Sequence, residues 1–211
     1  MIVVLDYGIG NIKSITGSLE HLNEGYKLTS DLSNIRSSEG LIIPGVGAFK
    51  HGMKLLKEKG LVEEVQRFRD SEKPILGICL GMQLLFEKSY EFGETEGLGL
   101  INGSVRKLES ESKEITKLPF VSWNGIKKYT ETSWKNTILD SIEDNSEMYF
   151  VHSYYGDTEE SNILAYAEYY GKKYCAAVKK DNVYGCQFHP EKSSFEGIKI
   201  IQNFIKICKD S

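Results

Sequence analysis

The chain opens on four consecutive apolar residues, Ile2-Val3-Val4-Leu5, most of them β-branched and with no polar residue interleaved. A run without alternation reads as a strand buried on both faces. Tyr7-Gly8-Ile9-Gly10-Asn11 follows as a glycine-rich turn, after which Ile12, Ile15, Leu19 and Leu22 recur at helical spacing. Gly40 to Ile43 predicts a second strand, stopped by Pro44-Gly45-Val46-Gly47. Leu61 to Arg69 predicts an amphipathic helix, Pro74 to Ile78 a third strand, and Gly81 to Phe86 a return to helical character. Strands alternating with helices predict a parallel sheet with helices on both faces.

After Gly97 the texture changes. Short strand-like runs occupy Leu98 to Leu108, Met148 to Tyr155, Ile163 to Glu168, Cys175 to Lys179 and Val183 to Phe188, divided by Gly, Asn, Asp and Lys turns. This half is expected to be more antiparallel. Ile198, Ile201, Phe204 and Ile205 predict a closing helix over Phe195 to Cys208, and the polar stretch Glu109 to Lys117 predicts an exposed loop. No repeat, low-complexity tract or linker divides the chain, so one domain over residues 1–211 is expected.

Composition narrows the function classes. With 40% hydrophobic and 27% charged residues, the chain has ordinary globular make-up, and its net charge of -4 weighs against a nucleic-acid-binding face. No stretch approaches the roughly 20 apolar residues of a membrane span. The N-terminus has no basic, signal-like region, so a cytoplasmic location with no membrane partner is expected. Cys79, Cys175, Cys186 and Cys208 show no C-x-x-C spacing. Free thiols are expected, with no metal and no cofactor.

The sharpest chemical feature is Gly77-Ile78-Cys79-Leu80-Gly81, placed where a buried strand hands over to a helix. A nucleophile on a tight, strained turn needs neighbours without clashing side chains, and glycine meets that need. Helix N–H groups nearby favour a thiolate. A lone cysteine is more often a small core residue. The two glycines reverse that preference for Cys79, whereas the other three cysteines read as packing.

Four histidines are available as a base. His21 and His51 fall on polar helix surfaces, and His152 falls at a strand end. His189 closes an apolar strand, Pro190 stops that strand, and Glu191 is close enough to orient an imidazole. By itself His189 is a turn histidine and Glu191 a solvated carboxylate. With Cys79 they make a nucleophile, a general base and acid, and an orienter. The glycines of Pro44-Gly45-Val46-Gly47 and the N–H of Leu80 are candidate oxyanion donors. Without the cysteine turn, the first of these is an ordinary strand-to-helix connection.

Three segments, Pro44-Gly45-Val46-Gly47-Ala48-Phe49, Gly77-Ile78-Cys79-Leu80-Gly81-Met82-Gln83-Leu84-Leu85 and Gln187-Phe188-His189-Pro190-Glu191-Lys192-Ser193, together resemble the class I (triad) glutamine amidotransferases. The likeness runs in the right order through nearly the whole chain. It implies a flavodoxin-like α/β fold with an antiparallel extension. The implied reaction hydrolyses L-glutamine to glutamate and ammonia through a Cys79 thioester. It implies that Gly45 and Val46 form the oxyanion strand, that Gln83 and Glu91 hold the polar ends of glutamine, and that Ser153 and Tyr154 border the pocket.

Within the family, Asp6-Tyr7-Gly8-Ile9-Gly10-Asn11 and His152-Ser153-Tyr154 resemble glutaminase subunits that feed a TIM-barrel cyclase in histidine biosynthesis. That implies a heterodimer with an internal ammonia channel. It also implies an interface at Asn11, Trp123, Asn124, Tyr149 and Lys192. One departure stands out. Val121-Ser122 precedes Trp123-Asn124 where such subunits usually carry Met-Gly. Similar paralogues supply a sugar amidotransferase that makes acetamidino groups on surface sugars, and this second acceptor stays open. A partner-independent γ-glutamyl peptidase and an idle scaffolding subunit are the readings from other classes.

Overall fold

A computed structural model describes residues 1–109, 117–129 and 132–210. Its larger sheet begins with five parallel strands in the order β2-β1-β3-β4-β13, formed by β2 (Tyr26–Thr29), β1 (Ile2–Leu5), β3 (Gly40–Ile43), β4 (Ile75–Ile78) and β13 (Val183–Cys186). It continues antiparallel through β12 (Lys172–Lys180), β11 (Ile163–Tyr169), β8 (Phe120–Lys128) and β9 (Ser146–His152). A second sheet orders β10 (Tyr154–Asp157), β7 (Ile101–Lys107), β5 (Phe86–Ser89) and β6 (Thr95–Glu96).

The apolar runs need no alternation because both faces are covered. Ile2 and Val4 point into one core with Ile15 and Leu19 of α1 (Ile12–His21) and Ile200, Ile201 and Phe204 of α6 (Ser194–Asp210). Val3 and Leu5 point into the other core. There they meet Ile35 of α2 (Leu32–Ser37), Met53 and Leu56 of α3 (Phe49–Glu58) and Val65 and Phe68 of α4 (Val62–Asp70). Each such side chain contributes about 1.5–3 kcal/mol on full burial, so the two cores hold the strand ends rigidly.

The expected parallel half and antiparallel half are both present, with two exceptions: β5 and β7 pair in parallel, and β13, expected in the antiparallel half, pairs parallel with β4. The helix expected over Gly81 to Phe86 is shorter. It is α5 (Leu80–Leu84), and the chain turns into β5 at Phe86. The strands β2, β5, β6 and β8 and the helices α2 and α3 lie outside the elements that the pattern bounded. β2 is an edge strand whose Lys27 and Leu28 are exposed, so it lacks a buried apolar signature. Of the expected loop over Glu109 to Lys117, residues 110–116 lie outside the described residues, and Glu109 and Lys117 are exposed. No described helix is long and apolar enough to cross a membrane.

Candidate active site

β3, β4 and β13 run parallel in register, and their carboxyl ends open onto one edge of the sheet. Such edges are where ligands sit in open α/β sheets. Cys79 follows β4 directly and has φ 54° and ψ −110°. Holding a non-glycine residue there costs about 1–3 kcal/mol, which the surrounding packing must offset. The Cys79 N–H donates to the Cys186 carbonyl at 2.7 Å, anchoring the turn to β13.

The flanking glycines serve close approach. A Cβ on Gly81 would stand 1.8 Å from the Ile43 carbonyl oxygen, and one on Gly77 would stand 2.7 Å from the Gly81 carbonyl. The left-handed backbone belongs to the cysteine itself. All four cysteines are free and buried, and Cys79 alone among them lines the cleft described below.

Beyond β13 the chain leaves the sheet at His189, whose N–H donates to the Tyr149 carbonyl at 2.9 Å. Residues Pro190–Lys192 form one tight 3-10 turn, started by the fixed φ of proline. Ser193 closes it, donating through its hydroxyl to the His189 carbonyl at 2.6 Å and accepting from the Tyr149 N–H at 3.0 Å. The turn brings Glu191 onto the imidazole, and His189 Nδ1 donates to Glu191 Oε1 at 2.8 Å. Both side chains are buried, and His189 Nε2 has no hydrogen-bond partner among the described residues.

Burial opposes charge on His189. The neighbouring Cys79 sulfur and the Glu191 carboxylate outweigh that opposition and push its pKa up to about 10. The ring is therefore protonated on both nitrogens and a proton donor at neutral pH, held in one orientation by Glu191.

The third wall is the segment Pro44 to Gly47. Tyr7, buried under it, donates to the Pro44 carbonyl at 2.5 Å. Burial first, and then the nearby Cys79, push the Tyr7 hydroxyl well above its ordinary pKa, so it stays protonated and remains a donor. A Cβ on Gly45 would lie 2.7 Å from Gly81 N, so this segment packs directly on the cysteine turn. Among the described residues, no backbone hydrogen bond occupies the N–H groups of Gly45, Val46 or Leu80. Val46 and Leu80 line the cleft described next and can present theirs to a ligand, whereas Gly45 is buried and does not line it.

A cleft of about 330 Å³ opens between these walls. It takes in Val46, Cys79, Leu80 and His189, and also Gln83, Glu91, Ser153 and Tyr154. The volume suits one small polar molecule. Glu91 is fixed by the Phe49 N–H, which donates to its Oε2 at 2.6 Å from the first turn of α3. The carboxylate places a negative charge in the cleft. Burial first, and then that charge, raise the pKa of Tyr154.

Gln83 is not a surface residue. Its Nε2 donates to the Tyr154 carbonyl at 2.9 Å and to Gln187 Oε1 at 3.0 Å, leaving only Oε1 for a ligand. Gln187, to which sequence reasoning gave no role, is fully buried and donates from Nε2 to Cys79 Sγ at 3.9 Å. Tyr7 and His152 were likewise given none. No local spacing marks these three. They are recognisable only once β1, β9 and β13 converge.

The residues expected at an interface divide. Trp123 is 46% exposed and meets Tyr149 edge-on at 6.0 Å, while Lys192 Nζ sits 5.8 Å from the Tyr149 ring centre and Tyr149 lies 6.4 Å from the His189 ring. These three form one cluster leading from the surface to the imidazole. Asn124 is separate from it. Strand alternation turns it to the opposite face of β8 from Trp123, and its Nδ2 donates to the Glu168 carbonyl at 2.8 Å. Asn11 faces inward, donating from Nδ2 to Glu191 Oε1 at 3.0 Å.

His152 carries a pH prediction. It is the last residue of β9, and its Nδ1 donates to the Tyr154 carbonyl at 2.9 Å. Burial, together with the positive His189, outweighs that hydrogen bond and pushes the His152 pKa down to about 4. The unfolded chain takes up this proton first as pH falls through about 6.5. The folded protein does so only near 4. Stability present above about 6.5 is therefore lost on acidification, by about 3 kcal/mol at pH 4. Urea titrations at pH 7 and pH 4.5 should show this loss in the wild type and a smaller one in His152→Gln. Equal acid losses in the two proteins would contradict the assignment.

Comparison with known proteins supplies the context. Residues 3–208 match the family model described as glutamine amidotransferase class-I. The chain is 47% identical over 204 residues to the imidazole glycerol phosphate synthase subunit HisH of Bacillus cereus (strain AH187), covering 97% of this chain and 93% of that one. It is 46% identical, with the same coverage, to the subunit of that name from Bacillus thuringiensis (strain Al Hakam). Among solved structures, a crystal structure of a glutamine amidotransferase superposes with a TM-score of 0.75 at 18% identity, covering 99% of this chain and 98% of that one.

Proposed function

The chain belongs to the class I glutamine amidotransferase family, and on that premise we propose that it is the glutaminase subunit of an imidazole glycerol phosphate synthase in histidine biosynthesis. The observation that carries the pathway is 47% identity sustained over 97% of this chain and 93% of a histidine-pathway relative. That extent leaves no large unmatched region in either protein. An idle scaffold is disfavoured by the intact Cys79, His189 and Glu191, and a γ-glutamyl peptidase by the short chain and by Gln83 and Glu91 in the cleft, which suit a free amino acid.

In this reading glutamine lies in the cleft with its ammonium toward Glu91 and its carboxamide over Cys79. The Cys79 sulfur attacks the carboxamide carbon. The developing oxyanion is met by the N–H groups of Val46 and Leu80, which acts as electrostatic stabilisation of the transition state. The C–N bond breaks as His189 Nε2 donates its proton to the leaving ammonia. The resulting γ-glutamyl thioester is hydrolysed by water, which His189 now deprotonates, giving glutamate and the free thiolate. Glu191 holds the ring throughout. No cofactor enters these steps.

The ammonia is destined for a TIM-barrel cyclase partner, in a heterodimer that makes imidazole glycerol phosphate and an aminoimidazole carboxamide ribotide. The exposed Trp123, with Tyr149 and Lys192 behind it, supports docking on this side of the cleft. The test is glutamate release by the chain alone, with a cyclase, and with a cyclase plus its ribonucleotide acceptor. The expected result is slow release alone and at least about tenfold stimulation by the complete mixture. Full activity without a partner would favour a peptidase. Stimulation only by a sugar amidotransferase would move the subunit to the surface-sugar pathway.

A further inference from the structure

We propose that Asn11 is a positioning residue that fixes the Glu191 carboxylate, tying the loop after β1 to the orienter of the catalytic imidazole. The inference rests on the glutaminase reading for its catalytic meaning, although its geometry stands independently. Asn11 Nδ2 donates to Glu191 Oε1 at 3.0 Å, and that same oxygen accepts from His189 Nδ1 at 2.8 Å. The other oxygen, Oε2, is buried without a hydrogen-bond partner among the described residues. A carboxylate held through one oxygen can rotate about its own axis, and two donors converging on that oxygen restrict the rotation. The orientation of the amide is itself secured, because Ser14 Oγ donates to Asn11 Oδ1 at 3.1 Å, which leaves Nδ2 to face Glu191.

The position makes this arrangement informative. Asn11 is the N-cap residue of α1, and an asparagine there normally accepts a backbone N–H of the first turn, which stabilises by about 1 kcal/mol. Here no side-chain cap bond forms, and the backbone sits at φ −84° and ψ 59° instead of the usual extended region. The oxygen that would cap the helix accepts from the Ser14 hydroxyl instead, and this turns the amide nitrogen to the triad carboxylate. A residue that only stabilised α1 would do the reverse.

The test reads the imidazole directly in the isolated, folded chain, by nitrogen-15 NMR titration of His189. Other charged or titratable groups about this pair are Cys79 on the turn after β4, Cys186 on β13, His152 and Tyr149 on β9, and Lys192 on the 3-10 turn. None is altered by the variants. Glu191 raises the His189 pKa through its hydrogen bond. A carboxylate turned out of line with Nδ1 raises it less, whereas mere loss of the Asn11 donor leaves Oε1 a stronger acceptor and raises it more, so a fall reports positioning and a rise contradicts it.

The expected result for Asn11→Ala is a lower His189 pKa, a weakened Nδ1–H signal, and glutamate release reduced about tenfold in kcat with little change in KM. No helix cap is removed, but the buried Glu191 carboxylate loses one of its two donors, so thermal stability should fall modestly. Ser14→Ala, which frees the amide without deleting it, should move the His189 pKa the same way by less. Unchanged His189 titration in both variants would overturn the inference, whatever happens to activity. A wild-type chain that releases no glutamate under any condition would instead sink the functional reading, and the titration would still decide the positioning role.

Discussion

Replacing Cys79 with alanine is expected to abolish glutamate release, lowering kcat by about 10⁴-fold or more, while the protein stays folded. The size follows from chemistry: without sulfur there is no thioester, and the oxyanion donors alone leave only a small residual rate. Folding should survive because the side chain loses a single heavy atom at the wall of a cleft and the substitution empties no deep core site. Alanine must still adopt φ 54°, but so did the cysteine, so the strain is common to both proteins. Circular dichroism and a urea titration check the fold, and coupled detection of glutamate checks the rate. Residual activity above about 1% of wild type would place the nucleophile elsewhere.

The second large effect is on the framework. Gly81→Ala is expected to cost about 2–4 kcal/mol of stability, because the new Cβ cannot be accommodated without moving backbone. It would lie 1.8 Å from the Ile43 carbonyl oxygen and 2.8 Å from its carbon, and both belong to the end of a strand buried on two faces. Separating α5 from β3 would also pull Cys79 away from the Val46 side of the cleft, so activity should fall with stability. Gly47 is the control. A Cβ there meets nothing within 4 Å, and only its φ of +98° disfavours a side chain, so Gly47→Ala should cost about 1–2 kcal/mol. Urea midpoints of the two variants, at unchanged slope, make the comparison. A Gly81→Ala protein within 0.5 kcal/mol of wild type would contradict the close approach drawn here.

How much of this could be read from the chain depended on where a residue's partners come from. β1, β3 and β4 were legible because strands buried on both faces have only apolar positions. Tyr26–Thr29 was not, because an edge strand with exposed Lys27 and Leu28 has no such run. α3 carries Phe49, Met53 and Leu56 on its buried face, but Lys50, His51 and Lys54 interrupt them and Gly52 sits within the same stripe. The cysteine turn was legible because two glycines frame one residue, although their reason is contact with Ile43 and Met82 more than the turn itself. His189 and Glu191 were legible because a 3-10 turn joins residues two apart.

The supporting groups were not legible, since each is recruited across the fold. Tyr7 reaches Pro44, Gln187 reaches Gln83, and Asn11 reaches Glu191 across 180 positions. Asn124 was grouped with Trp123 because the resemblance put both at an interface, and the segment was not read as a strand that would separate them. Once it is one, neighbours must point to opposite faces.

The most direct measurement is peptide mass spectrometry of the protein quenched in acid during turnover with isotopically labelled glutamine. The account predicts a labelled γ-glutamyl group on the peptide containing Cys79, present in His189→Ala at lower yield and absent from Cys79→Ala. Steady glutamate release with no label on that peptide, or with label on Cys175, Cys186 or Cys208, would contradict it.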